Sequence, residues 1–146
     1  MVFSDRILYT EKNIDFYKPT KEIVRKYCLE NIIFFLNRSR KELISEHLSD
    51  KNISKVCLKE IRASFTISKL ACQYMLLRPI SGKNAIIRNM QEVFPLVNLN
   101  TIKFNQTLAS HWSHKKPFDH YLIILKENEK YIENFSCYFL THFVLK

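Results

Sequence analysis

Glycine is almost missing from this sequence, in which Gly82 is the single example among 146 residues. Tight hairpins, β-sandwiches and dinucleotide-binding loops need glycine where the backbone takes a positive φ or approaches a ligand closely. Neither the G-x-G-x-x-G fingerprint nor the Walker phosphate-binding loop occurs. The shortage favours a helical fold and excludes the usual glycine-dependent nucleotide sites.

Long apolar runs and a secretion signal are also missing. No stretch reaches the roughly 18 consecutive apolar residues that a membrane-spanning helix needs. The N-terminus has no basic region followed by an apolar core. We therefore expect no membrane span and a cytoplasmic location, or the cytoplasm or nucleus of a host if the protein is viral or a secreted effector.

Closely spaced cysteines are a third absence. Cys28, Cys57, Cys72 and Cys137 lie far apart, each among apolar residues with helical spacing, and none belongs to a C-x-x-C pair. This pattern predicts buried free thiols and neither a disulfide framework nor a cysteine-based metal site. We expect no cofactor.

Positive charge is what the chain has in excess. It contains 23 Lys and Arg against 14 Asp and Glu, a formal net charge of +9. Such a balance favours a polyanionic partner, either nucleic acid or an anionic surface. The abundance of Lys, Asn and Ile is equally typical of an AT-rich genome, so the charge by itself decides nothing.

The length and the 47% hydrophobic content fit one domain with its own core. We predict a mainly α fold, a single compact bundle of about five to seven helices over residues 20–146, preceded by an irregular arm over 1–19. Short apolar runs leave a β element open near the N-terminus, at 96–104 or at 120–126.

The first predicted helix opens at Thr20, which follows Pro19 and can act as the cap. We expect it to end near Asn37 and a second, short helix to run from Ser39 to Leu48. Positions 32–36 are apolar without exception, which predicts a last turn that is buried nearly all round.

Residues 50–94 carry the clearest helical periodicity and predict three short helices. The first covers residues 51–65, the second runs from Thr66 to Leu77, and the third starts at Ser81 as its cap and closes before Pro95. In the first, Lys51, Lys55, Lys59 and Arg62 fall within an arc of about 80°. We predict that this stripe contacts phosphates; the alternative is an ordinary solvated face.

The last two of these helices invite comparison with a helix-turn-helix motif. The helix from Thr66 to Leu77 is then the supporting one, and the segment from Ser81 to Met90 enters the major groove. The side chains that would face bases or phosphates are Lys83, Asn84, Arg88 and Asn89.

A second basic and aromatic cluster follows at residues 111–120. Trp112 could stack on a base while Lys115 and Lys116 meet the backbone. His111, His114 and His120 could instead hold a metal, but only Asp119 lies near them as a further ligand, and we predict a metal-free surface loop.

Arg40 and His47, with six residues between them, match the Arg-x(4–6)-His spacing of HEPN-type ribonucleases. The chain resembles that family in this motif alone. The resemblance implies a dimer whose paired Arg and His side chains cleave RNA without a metal.

Two functions outrank the enzyme. The first is a non-enzymatic nucleic-acid-binding or transcription-regulating domain, for which a homodimer on two half-sites is plausible. The second is a helical interaction module, an adaptor or host-manipulating protein, that takes a partner helix in an apolar groove.

Overall fold

The structure is a computed structural model that describes residues 20–43 and 48–145. Within those ranges its regular secondary structure is helical, without strands. The elements are α1 (Lys21–Leu43), α2 (Ile53–Leu76), α3 (Lys83–Val93), α4 (Asn100–Ala109) and α5 (Phe118–Phe139), and a π-helical turn, Leu140–Val144, closes the chain. The predicted helical bundle is confirmed. The predicted irregular arm at 1–19 lies outside the described residues.

α2 is the central element and contacts each of the other four helices. α1, α2 and α5 pack against one another, while the shorter α3 and α4 lie against α2. α2 contains neither glycine nor proline, and its apolar side, including Ile53, Cys57 and Ile67, is completely buried. The bundle is therefore built around one long, uninterrupted helix.

The helix ends follow local backbone chemistry. The Thr20 hydroxyl accepts a hydrogen bond from the Ile23 N–H at 3.2 Å, which confirms the predicted cap of α1. α2 ends at Leu77, a left-handed residue with φ of 56°. Gly82, with φ of 89°, precedes α3 in place of the predicted cap Ser81. The single glycine thus lies where the backbone needs a positive φ.

Several predicted boundaries were wrong. The helices predicted before and after Thr66 are one helix, within which the Thr66 hydroxyl donates to the Arg62 carbonyl one turn back, at 2.9 Å. Likewise α1 continues past Asn37 to Leu43. The open β elements at 96–104 and 120–126 are a turn leading into α4 and part of α5.

The predicted burial fails at two places. Ile33 and Phe34 of α1 are 44% and 57% exposed, because a helix turns continuous apolar residues to all sides and only one side meets the bundle. Cys137 is exposed, whereas Cys28, Cys57 and Cys72 are buried free thiols as predicted. Burial raises the pKa of Cys28 to about 11 and those of Cys57 and Cys72 to about 12.

The C-terminal aromatic residues pack centrally. The ring of Phe94, after α3, lies 5.3 Å from Phe135 and 5.1 Å from Phe143, each in an edge-to-face arrangement. Phe139 is completely buried beside them. Among the described helices, none is long and apolar enough to cross a membrane.

Candidate nucleic-acid interface

A groove opens where the middle of α2 faces the start of α3 and the loop after α4. Its volume is about 490 Å³, and its principal lining residues are Leu58, Ile61, Arg62, Phe65, Lys83 and Trp112. A second depression of about 460 Å³ adjoins it and shares Lys83 and Ala109. We call the two together the basic groove.

The basic groove brings together residues predicted separately from three parts of the sequence. Arg62 comes from the lysine and arginine stripe, Lys83 and Asn84 from the third predicted helix, and Trp112 from the second cluster. Arg62 and Lys83 are exposed, and neither forms an ion pair with another described residue. Their charge is therefore available to an anionic ligand.

Lys83 is placed by an aromatic ring that the sequence pattern did not single out as functional. Its ammonium group lies 5.7 Å from the centre of the Phe65 ring, a cation–π contact. Phe65 itself is only 5% exposed and forms part of the groove floor. In sequence it is indistinguishable from an ordinary core residue.

Trp112 is held in place by α2. Its indole N–H donates to the Ser54 hydroxyl at 3.3 Å. The same hydroxyl lies 2.5 Å from Nδ1 of His114, and the Trp112 ring packs 5.6 Å from Tyr121. Trp112 and His114 both bond to Ser54, and Trp112 also packs on Tyr121. The half-buried indole is therefore held in one position as a wall of the groove.

The remaining predicted lysines lie on surfaces next to the basic groove. Lys51 is exposed just before α2 and Lys55 is exposed in its first turn, on either side of Ser54 in the sequence. Lys115 and Lys116 are exposed on the loop, where the Lys116 N–H donates to the Tyr121 hydroxyl at 3.0 Å. The positive surface thus continues from the groove along the loop.

Three residues that were predicted to contact nucleic acid do not lie in the basic groove. Lys59 lies 2.9 Å from a carboxylate oxygen of Glu42 on α1. Arg88 is exposed on α3 but does not line the groove. Asn89 was predicted to face bases and is 4% exposed instead, with its amide bonded to Arg78 at 2.9 Å and to the Ala85 carbonyl at 2.7 Å. That prediction was wrong.

Asn84 also has an unforeseen partner. Its side-chain oxygen accepts a hydrogen bond from the Gln106 amide of α4. The two residues are 22 positions apart, and no local pattern in the sequence connects them. The contact fixes Asn84 at the edge of the groove.

Neither the histidine cluster nor the ribonuclease-like motif assembles a complete site in the described part of the chain. No group of three His, Cys, Asp or Glu side chains there is placed to hold a metal. Arg40 forms a two-pronged ion pair with Glu133 of α5, both contacts at 2.8 Å. His47 lies outside the described residues, so the ribonuclease remains a prediction.

A different kind of groove separates α4 from α5. It is apolar, with a volume of about 270 Å³, and Phe104 and Ile123 at its sides are 50% and 65% exposed. At its base the Asn105 amide donates to Asn128 at 2.6 Å, and the Ser64 hydroxyl donates to the same oxygen at 2.7 Å. We call this the α4/α5 groove.

The opposite side of α2 from the basic groove contains buried acidic residues. Glu60 is 0% exposed and Glu129 of α5 is 4% exposed. The Glu129 carboxylate has no hydrogen-bond partner in the described part of the chain, whereas the Ser39 side chain acts on the Glu60 carboxylate and lowers its pKa. Burial raises the pKa of both, that of Glu129 to about 7, and the nearby charge of Glu42 raises them further. We call these three residues the acidic cluster.

No protein family, curated protein or solved structure matches this chain.

Proposed function

We propose that this protein binds nucleic acid through the basic groove and acts by binding and not by catalysis. The observation that carries the proposal is that Arg62, Lys83 and Trp112 line one groove although they are far apart in sequence. Two cations that form no ion pair with a described residue, next to an aromatic ring, would provide phosphate contacts and a stacking surface. The net charge of +9 adds a long-range attraction for polyanions.

The distribution of the other charges supports the same ligand. Lys51 and Lys55 flank Ser54 in the sequence, and Lys115 and Lys116 follow Trp112 and His114, which both bond to Ser54. Several exposed cations around this contact suit a chain of phosphates better than a single small anion. α3 is poorly suited to reading base sequence, because Asn89 is buried and Asn84 is bonded to Gln106.

The test is binding of fluorescently labelled DNA and RNA, followed by anisotropy over a series of salt concentrations. Wild-type affinity should fall steeply as salt rises, because phosphate contacts release counterions. The double variant Arg62→Glu/Lys83→Glu should bind far more weakly, with a salt slope smaller by about 2. Electrophoresis of the RNA after each titration also checks for cleavage.

The matched control is Lys21→Glu/Lys41→Glu, which changes the net charge by the same amount at exposed positions on α1. It should retain most of the wild-type affinity. Equal loss in both double variants would mean that only overall charge matters, and it would contradict a site in the basic groove. Absence of binding at low salt would end the proposal.

The α4/α5 groove favours a second candidate, a module that binds a partner helix through apolar side chains. Phe104 and Ile123 are large, exposed and adjacent to one apolar depression. This candidate predicts a complex that survives high salt and is lost in Phe104→Ser/Ile123→Ser. Nucleic-acid binding in the basic groove should instead weaken as salt rises. One series of salt concentrations therefore separates the two candidates.

A further inference from the structure

We infer that the ligand of the basic groove is single-stranded nucleic acid and that one unstacked base lies on its apolar floor, an inference that rests on the proposed function. Leu58, Ile61 and Phe65 form that floor, and Trp112 forms a wall. The volume of about 490 Å³ lies within the range of roughly 300–1,000 Å³ that is usual for pockets that enclose small molecules.

An apolar floor distinguishes the two forms of nucleic acid. In a duplex the faces of the bases are covered by their neighbours, and a protein meets only phosphates, sugars and base edges. In a single strand the faces of the bases are exposed and gain free energy by stacking on aromatic rings. Leu58 and Ile61 offer nothing to a phosphate, whereas with Trp112 they form a surface for a base.

The cations lie where a single strand needs them. Arg62 and Lys83 belong to the same lining as the apolar floor, so a base on the floor leaves its flanking phosphates within their reach. Lys83 is the first residue of α3, and that helix has no side-chain cap from a described residue. Its first backbone N–H groups therefore add partial positive charge beside the Lys83 ammonium.

The arrangement of α3 argues against reading of a duplex. A recognition helix needs several polar side chains directed away from its own domain. On α3 the amide of Asn89 is buried against Arg78, and that of Asn84 is bonded to Gln106. Of the four side chains predicted to read a duplex, Lys83 and Arg88 are exposed and have no hydrogen bond to a described residue, and Arg88 lies outside the basic groove.

The protein carries its own reporter of base stacking, because Trp112 is its single tryptophan. We would titrate the full chain with a single strand of about 12 nucleotides, in deoxy and ribo forms, and with the same strand annealed to its complement. The single strand should quench Trp112 fluorescence and bind at least roughly tenfold more tightly than the duplex.

The outcomes separate the inference from the proposed function. Equal affinity for duplex and single strand, without quenching, would overturn the inference and leave nucleic-acid binding intact. Tighter binding of the duplex than of the single strand would also overturn the inference and leave nucleic-acid binding intact. Failure of both ligands to bind would remove the proposed function and the inference together.

Two variants sharpen the test. Trp112→Ala should lose roughly tenfold or more of the single-strand affinity and little of the duplex affinity, while Trp112→Phe, which keeps a ring, should retain most of both. Circular dichroism and a thermal melt establish that each variant is folded. A folded Trp112→Ala with unchanged single-strand affinity would overturn the inference; if Trp112→Ala does not fold, the Phe variant and the wild-type quenching decide it.

Discussion

The two sides of α2 contain charges of opposite sign in opposite environments. On one side Arg62 is exposed beside Trp112 and has no ion pair with a described residue. On the other, Glu60 is fully buried near Glu129 and Glu42. Charges in water cost little and remain available to a ligand, whereas buried charges cost folding free energy unless they are neutralised. Under the proposed function, the exposed side binds the ligand, and the buried side makes the stability of the fold depend on pH.

The raised pKa of Glu129 makes the stability of the fold depend on pH. Burial, together with the charges of Glu60 and Glu42, raises the pKa of Glu129 from 4.5 to about 7, while Lys126 acts in the opposite direction. The folded state therefore holds a proton that the unfolded state releases, and stability from this group is lost as pH rises from about 4.5 through about 7. Burial also raises the pKa of Glu60, while Ser39, Arg38 and Lys59 act to lower it.

The largest effect on stability is expected from Asn128→Leu. Asn128 accepts hydrogen bonds from Ser64 and Asn105 in the core, and its removal leaves the Asn105 amide without that partner. Leaving a buried polar group unsatisfied costs about 1–3 kcal/mol. Chemical denaturation should show a loss in this range, against a change within about 0.5 kcal/mol for the exposed control Asn134→Leu. An equal loss in both variants would contradict a structural role for the buried amides.

A smaller effect, with a distinctive pH profile, is expected from Glu129→Gln. The amide cannot ionise, so the decline in melting temperature between pH 5 and pH 8 should flatten, and stability at pH 8 should rise by about 1 kcal/mol. Thermal melts of wild type and variant over this pH range measure it. Unchanged pH dependence in the variant would show that Glu129 is not the titrating group.

The smallest effect is expected from Arg40→Ala. Arg40 and Glu133 form a well-aligned ion pair, but their side chains are 51% and 44% exposed, where water weakens the attraction. The loss of stability should be about 1 kcal/mol or less and should shrink in high salt. Denaturation at low and high salt checks this, and a loss above 2 kcal/mol would mean that the pair is more than a surface contact.

The helical class was predictable because it depends on local signals: one glycine, helical spacing of apolar residues and the Thr20 cap. The helix boundaries were harder to predict. The composition around Thr66 is the same whether the helix breaks there or continues with the Thr66 hydroxyl bonded to its own backbone. The cationic site residues could be selected by residue type and spacing. Their assembly could not, because the contacts of Phe65 with Lys83 and of Ser54 with Trp112 depend on how distant helices pack.

The most direct test of the division across α2 compares Arg62→Glu/Lys83→Glu with Glu129→Gln in parallel, by single-strand binding anisotropy and thermal melting. The division predicts that the first variant loses most of its binding and melts like wild type at pH 7. The second should bind like wild type and show a weaker pH dependence of its melting temperature. If the groove variant binds like wild type, or if Glu129→Gln impairs binding while it remains folded, the assignment of binding to one side and stability to the other is contradicted.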